Sequence, residues 1–214
     1  PLRLVGSEMC IRDSYRPMRE NLVVFDFDGT LIRGDSFGLF ARFAVGRAAF
    51  FKAVFISSPW IIAWKLRCIS NSKAKERLFG NLFGGMPYAD FKRYGEAFSK
   101  VIESRIKLDT VRRLREHVAN GDTVVIVTAS MAEWIAPWAK GYGVDTLLTT
   151  APEVDRATGR LTGRFLGANC HGAEKARRIT ERFGSLKDAE VWAYGDSAGD
   201  DAMLALADHP CRIK

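Results

Sequence analysis

Three short apolar runs, each ending in small and acidic residues, set the rhythm of the chain. Residues 22–25 (LVVF) form the first, of the kind seen in strands buried on both faces of a parallel sheet. Residues 123–127 form the second, entered through the Asn120-Gly121 turn. That turn closes a helix whose apolar positions Val111, Leu114 and Val118 recur at helical spacing. Residues 191–194 form the third and lead directly into Gly195-Asp196-Ser197. Helical patterns over 131–140, 173–183 and 200–207 alternate with these runs. Between the second and third runs, residues 153–166 read as strand, turn and strand, with the bend at Thr158-Gly159. The alternation predicts an α/β class, a Rossmann-like, doubly wound parallel sheet.

Residues 36–107 interrupt that rhythm. They lack strand alternation, are rich in Phe, Trp, Ala, Lys and Arg, and show helical spacing over 88–106. We expect a catalytic core from residues 18–35 and 108–214, with 36–107 inserted as a helical unit. Charge separates the two. Residues 40–107 carry thirteen Lys or Arg against four acids, a local net of +9, so the rest of the +7 chain sums to −2.

Composition is that of an ordinary globular protein, 47% hydrophobic and 27% charged. The four cysteines form no C-x-x-C pair and show no zinc-ligand spacing, and the three histidines build no cluster, so a reducing cytoplasm fits best. Residues 4–14, LVGSEMCIRDS, match the translation of a sequencing-library adapter. Residues 1–17 are therefore expected to be artefactual or disordered, with Met18 as the natural start and a C-terminus that is cut short.

In open α/β sheets, ligands bind beyond the C-terminal ends of the strands. The first run here ends in Asp26-Phe27-Asp28-Gly29-Thr30, the second in Thr128-Ala129-Ser130, the third in Gly195-Asp196, with Asp200 four residues on. Lys175 stands where the helix over 173–183 begins. Residues i and i+2 at a strand end point the same way, so Asp26 and Asp28 can share a site. Carboxylates from Asp26 and Asp196 suit a small hard cation such as Mg²⁺. Lys175 offers a point charge for phosphate oxygens and Thr128 a hydroxyl donor. Nucleophile, proton donor, cation site and phosphate ligands are what phosphoryl transfer requires. Taken singly, each element has a plainer reading. An Asp-Gly between apolar runs is a hairpin signal, and GDSAGDD is an ordinary solvated loop. Their order and placement at strand ends favour the chemical reading.

VVFDFDGTL, the strand ending in Thr128, Lys175 and GDSAGD together resemble the four motifs of the haloacid dehalogenase superfamily, over about residues 21–208. The resemblance implies a phosphatase working through an aspartyl-phosphate, with Asp26 as nucleophile. Asp28 would be the general acid/base and give its backbone carbonyl to Mg²⁺. Thr128 and Lys175 would hold phosphate, Asp196 the metal, and Asp200 the metal's water shell and Lys175. The insertion resembles a helical C1 cap that closes over the site. Gly159-Arg160-Leu161-Thr162-Gly163 resembles the hairpin of subclass IB, which includes phosphoserine phosphatases and phosphatidylglycerophosphatase C-like enzymes. Asp35, nine residues after Asp26, matches the position at which phosphoserine phosphatases read the substrate amine.

The insertion also suggests a greasier substrate. Residues 36–75 hold no acid and seven Lys or Arg, together with Phe37, Phe40, Phe43, Phe50, Phe51, Phe55, Trp60 and Trp64. Such a mixture suits contact with anionic lipid, or equally the packing of the inserted helices against one another. The longest uncharged run, 53–64, is too short to span a bilayer, which needs ~20 apolar residues. The expected partner is a phosphorylated small molecule or lipid, not nucleic acid. Peripheral contact through the cap would place the protein at the cytoplasmic face of a bacterial membrane. A non-catalytic phosphate-binding protein on the same fold is the reading from another class.

Overall fold

The computed structural model describes residues 20–214; the adapter-like stretch, Cys10 and Met18 lie outside them. Five strands form one parallel sheet: β1 (Glu20–Phe25), β2 (Thr123–Met131), β3 (Thr146–Thr150), β6 (Ala189–Gly195) and β7 (His209–Arg212). Their order is β3-β2-β1-β6-β7. The chain leaves β1 toward one edge and returns to its other side, so β1 and β6 flank the point where strand order reverses. In such sheets that crevice receives the ligand.

Alternation along β1 divides the core in two. Val23 and Phe25 pack with Val124, Ile126, Leu114 and Trp134, under helices α4 (Leu108–Ala119) and α5 (Ala132–Lys140). Leu22 and Val24 pack with Val125, Val127, Ile179 and Met203, under α6 (Ala173–Phe183) and the short α7 (Asp201–Leu204). Both faces are covered, which is why the three central runs are apolar throughout. β4 (Pro152–Asp155) and β5 (Arg160–Phe165) form the separate antiparallel hairpin.

Several elements differ from the sequence pattern. β3 (TLLTT) and β7 (HPCR) were not anticipated, because half-polar edge strands leave no buried run, and Pro210 fits only at an edge. β2 continues to Met131, so α5 opens at Ala132. The helix expected over 200–207 shrinks to a 3₁₀ turn (Ala198–Asp200) and α7, because a reciprocal Ser197/Asp200 capping box claims its first turn.

Between β1 and α4 come three helices: α1 (Ser36–Lys65), α2 (Asn71–Phe83) and α3 (Tyr88–Glu103). The two chain crossings between sheet and insertion run side by side. Arg33 N–H donates to Arg105 O and Lys107 N–H to Leu31 O, both at 2.8 Å. Phe40, Phe79, Phe83, Phe91 and Phe98 are buried and join Trp134 and Phe165 in one aromatic cluster, with Phe40 stacked on Trp134 at 4.3 Å. These aromatics weld the insertion to the core. Those later in α1 do not, since Phe51 and Phe55 lie 57% and 80% exposed. The helix is bent at Gly46, whose φ of +81° and ψ of 163° are non-helical and tolerated by glycine alone without strain.

Candidate active site

The C-terminal ends of β1, β2 and β6 and the first turn of α6 converge on one buried cluster. Lys175 Nζ donates to Asp26 Oδ1 at 2.5 Å and to Asp200 Oδ1 at 2.6 Å. All three side chains are almost completely buried. Burying three charges together is tolerated because the lysine sits between two carboxylates, and those neighbours hold its ammonium above the usual range against the opposing effect of burial. Asp200 is satisfied on both oxygens. Oδ2 accepts from the Asp196 and Ser197 amides and the Ser197 hydroxyl, at 2.9–3.2 Å. It is thus the fixed post that aims Lys175 at Asp26, and Lys175 holds it below the usual carboxylate range although burial opposes this.

Asp26, Asp196 and Asp200 each bring one carboxylate oxygen within 4.8 Å of the others. An all-oxygen group of this size fits a small hard divalent cation such as Mg²⁺. Asp196 is the freest of the three, with Thr30 Oγ1 as a long donor at 3.3 Å. Gly29 makes room for it. A Cβ there would stand 2.2 Å from Asp196 Oδ2, and φ is +78°. Burial pushes the Asp26 carboxyl up to about 7, with Lys175 the largest opposing influence.

The Asp28 carboxylate is turned away from this group. Its Oδ1 accepts from the Ser36 amide at 2.8 Å and its Oδ2 from the Ser130 hydroxyl at 2.6 Å. The Ser36 and Ser130 hydroxyls meet at 2.8 Å, and Trp134 Nε1 donates to Ser36 Oγ at 3.1 Å. Burial, then Asp35, raises the Asp28 pKa, against the Ser130 and Ser36 hydrogen bonds that favour its ionised form. Of the positions expected to hold metal, Asp28 therefore offers no carboxylate to the group, which leaves its backbone carbonyl. Thr128 is buried at the end of β2. Its Oγ1 accepts from the Ser130 amide at 3.0 Å, leaving its own proton to donate. Asp35 is exposed and caps α1 by accepting from the Gly38 amide at 2.9 Å.

Ser36, Ser130 and Lys75 are the side chains that motif reading did not single out. Lys75, on α2, reaches over the sheet edge and donates to Ala129 O at 2.9 Å. Burial lowers its pKa, while Asp35 and then Asp28 pull the other way. A lysine in a stretch of many lysines carries no local signal. Ser130 was visible as a residue of the β2 terminus, without anything to show that it faces Asp28.

The chain belongs to the haloacid dehalogenase-like hydrolases, whose family model matches residues 23–205. Protein CicA of Caulobacter vibrioides is 36% identical over 87% of this chain and 83% of its own. The phosphoserine phosphatase SerB1 of Mycobacterium tuberculosis is 29% identical over 85% of this chain and 61% of its own length. Among solved structures, a protein of unknown function from Bordetella pertussis superposes with a TM-score of 0.74 at 28% identity, covering 87% of this chain and 86% of that one.

Proposed function

We propose that this hydrolase is a Mg²⁺-dependent phosphomonoesterase in which Asp26 attacks phosphorus and forms an aspartyl-phosphate. The observation that carries the reading is the contrast between two carboxyls at one strand end. Asp26 is paired with an ammonium, which favours the ionised nucleophile. Asp28 instead accepts from the Ser36 amide and the Ser130 hydroxyl, and burial raises its pKa although those donors oppose it. Burial raises both carboxyls, and Asp26 alone of the two has an ammonium bonded to it, which singles it out as the nucleophile and leaves Asp28 the acid/base role.

An Asp26 oxygen forms the bond to phosphorus as the phosphorus–alkoxide bond breaks. Asp28 delivers its proton to the departing oxygen. Water then attacks the acyl phosphate, Asp28 takes back a proton, and inorganic phosphate leaves with Asp26 restored. Lys175 neutralises the transferring oxygens from the Asp26 side, and the Thr128 hydroxyl donates to them. Asp26, Asp196 and the Asp28 carbonyl would hold Mg²⁺, with Asp200 steadying its water shell. When bound, the cation lowers the Asp26 pKa and neutralises charge on the phosphate. The inserted helices act as a cap that limits water during the first step. A pure phosphate-binding protein has no use for an acid/base at Asp28.

For the substrate's remaining part, phosphoserine-like small metabolites are supported by SerB1 and by the Asp35–Lys75 pair of opposite charges at the mouth. A lipid phosphate is supported by the exposed aromatic and basic helix α1. Three free thiols, Cys68, Cys170 and Cys211, fit the cytoplasm. No helix among the described residues is long and apolar enough to cross a membrane.

Para-nitrophenyl phosphate tests the chemistry. Asp26→Asn is expected to abolish turnover while leaving the fold intact, and EDTA to abolish it in the parent until Mg²⁺ is restored. Undiminished activity in the variant would refute the nucleophile, and full activity in chelator would remove the metal.

A further inference from the structure

The bend at Gly46 returns α1 on itself. In a straight helix Phe37 and Ile61 would stand ~36 Å apart, at 1.5 Å per residue. Here both line one groove of about 370 Å³, together with Trp64, Leu78, Asp35 and Lys75. Lys75 binds Ala129 O, and the next residue, Ser130, holds Asp28. The groove therefore runs from Lys75, beside the β2 terminus, to the outer half of α1 at Trp64, which is 39% exposed.

That outer half carries an exposed apolar stripe. Phe51, Phe55 and Ile62 fall within about 40° of arc at 3.6 residues per turn, and all three are exposed. Among the described residues nothing covers them. Arg47, Lys52 and Lys65 flank this stripe, and residues 36–75 carry seven bases and no acid. A contiguous exposed apolar stripe rimmed by charges marks a contact surface for protein or lipid. A second copy of this chain would bring two strongly basic faces together, whereas an anionic lipid surface accepts both the bases and the aromatics.

We propose that the hairpin of α1 and α2 docks on an anionic phospholipid surface. The groove from Trp64 to Lys75 then takes the apolar part of a lipid phosphomonoester, with its phosphate toward Asp26. This rests on the phosphatase reading for its chemistry, while the docking itself does not. The basic stem-and-head side chains lie beside the stripe, where their apolar stems can sink with it and their charges stay at headgroup level.

The test separates docking from chemistry. The Asp26→Asn protein is sedimented with vesicles of equimolar phosphatidylglycerol and phosphatidylcholine, and with phosphatidylcholine vesicles alone. Binding is expected to the first only, and Phe51→Ser/Phe55→Ser, made in the same background, should lower it by about tenfold or more. Both side chains are exposed, so the same pair of changes in the active chain should leave para-nitrophenyl phosphate hydrolysis unchanged. Ile61→Trp, which fills the groove, should keep vesicle binding and lower phosphate release from phosphatidic acid in the anionic vesicles at least tenfold more than para-nitrophenyl phosphate turnover. No binding to anionic vesicles, equal binding to neutral ones, or undiminished binding by the double Phe variant would overturn the docking. So would a dimer in sedimentation that the double Phe variant dissolves. Turnover of free phosphoserine with none of phosphatidic acid would overturn the substrate class. Failure of the phosphatase reading shows separately, as a parent chain inert toward para-nitrophenyl phosphate.

Discussion

Lys75 of the inserted helices donates its ammonium to the Ala129 carbonyl at the end of β2, 2.9 Å away. This contact ties the cap to the strand terminus that carries Thr128 and Ser130. It also brings a second cation to a site where Lys175 is already committed to two carboxylates.

Lys75→Met is expected to lower kcat/KM on para-nitrophenyl phosphate by about 10²-fold, the scale of losing one preorganised electrostatic donor. Thermal stability should change by less than ~1 kcal/mol, because the orphaned Ala129 carbonyl is offset by removal of a desolvated charge. Steady-state kinetics alongside a thermal melt checks both, and Lys75→Arg should recover part of the rate.

Asp28→Asn separates the two chemical steps. Para-nitrophenolate leaves without help from an acid, so a burst of about one equivalent followed by a stall is expected in stopped flow. Alkyl phosphates, whose leaving oxygen needs a proton, should show no burst. Ser130→Ala should weaken the same selectivity less severely, since Asp28 keeps the Ser36 amide.

The Asp26 pKa predicts a pH-dependent stability in the metal-free protein. A carboxyl raised on folding from 3.8 to about 7 binds its proton more tightly in the folded chain. Its ionisation thus costs stability, by nothing below about pH 4 and by the full amount above about pH 7. Asp26→Asn removes that cost. In EDTA the variant should match the parent near pH 4 and exceed it by on the order of 4 kcal/mol near pH 8. Denaturant melts across that range measure it; a constant difference between the two chains would contradict the cause assigned to the shift.

Gly95→Ala should destabilise the chain by about 1–3 kcal/mol despite the better helix propensity of alanine. A Cβ at Gly95 in α3 would lie 2.4 Å from the Glu133 carbonyl oxygen in α5, so the two helices must separate. The loss should appear as a lower melting temperature in calorimetry.

The residues proposed for the chemistry were legible as candidates as soon as the three apolar runs were seen. Asp26, Asp28, Thr128 and Asp196 each stand within a few residues of a buried strand end, and a strand buried on both faces announces itself by composition alone. Lys175 and Asp200 followed from their order relative to those runs. The parallel core, the hairpin over 153–166 and the helical insertion were readable for the same reason, since each rests on local periodicity.

What lay beyond the sequence was decided by contacts between segments far apart in the chain. Whether Asp28 faces the cation group or the Ser36–Ser130 pair depends on how α1 leaves the sheet. Lys75 looks like any other base of the insertion until α2 is laid across the end of β2. Phe40 and Phe55 have the same chemistry and the same helix, yet one stacks on Trp134 and the other meets solvent, because the Gly46 bend assigns each half of α1 its own face. Periodicity reports what a residue does to its own element. Which surface that element then meets is a property of the packed whole, and there the orientation of the acid, the second lysine and the open groove were settled.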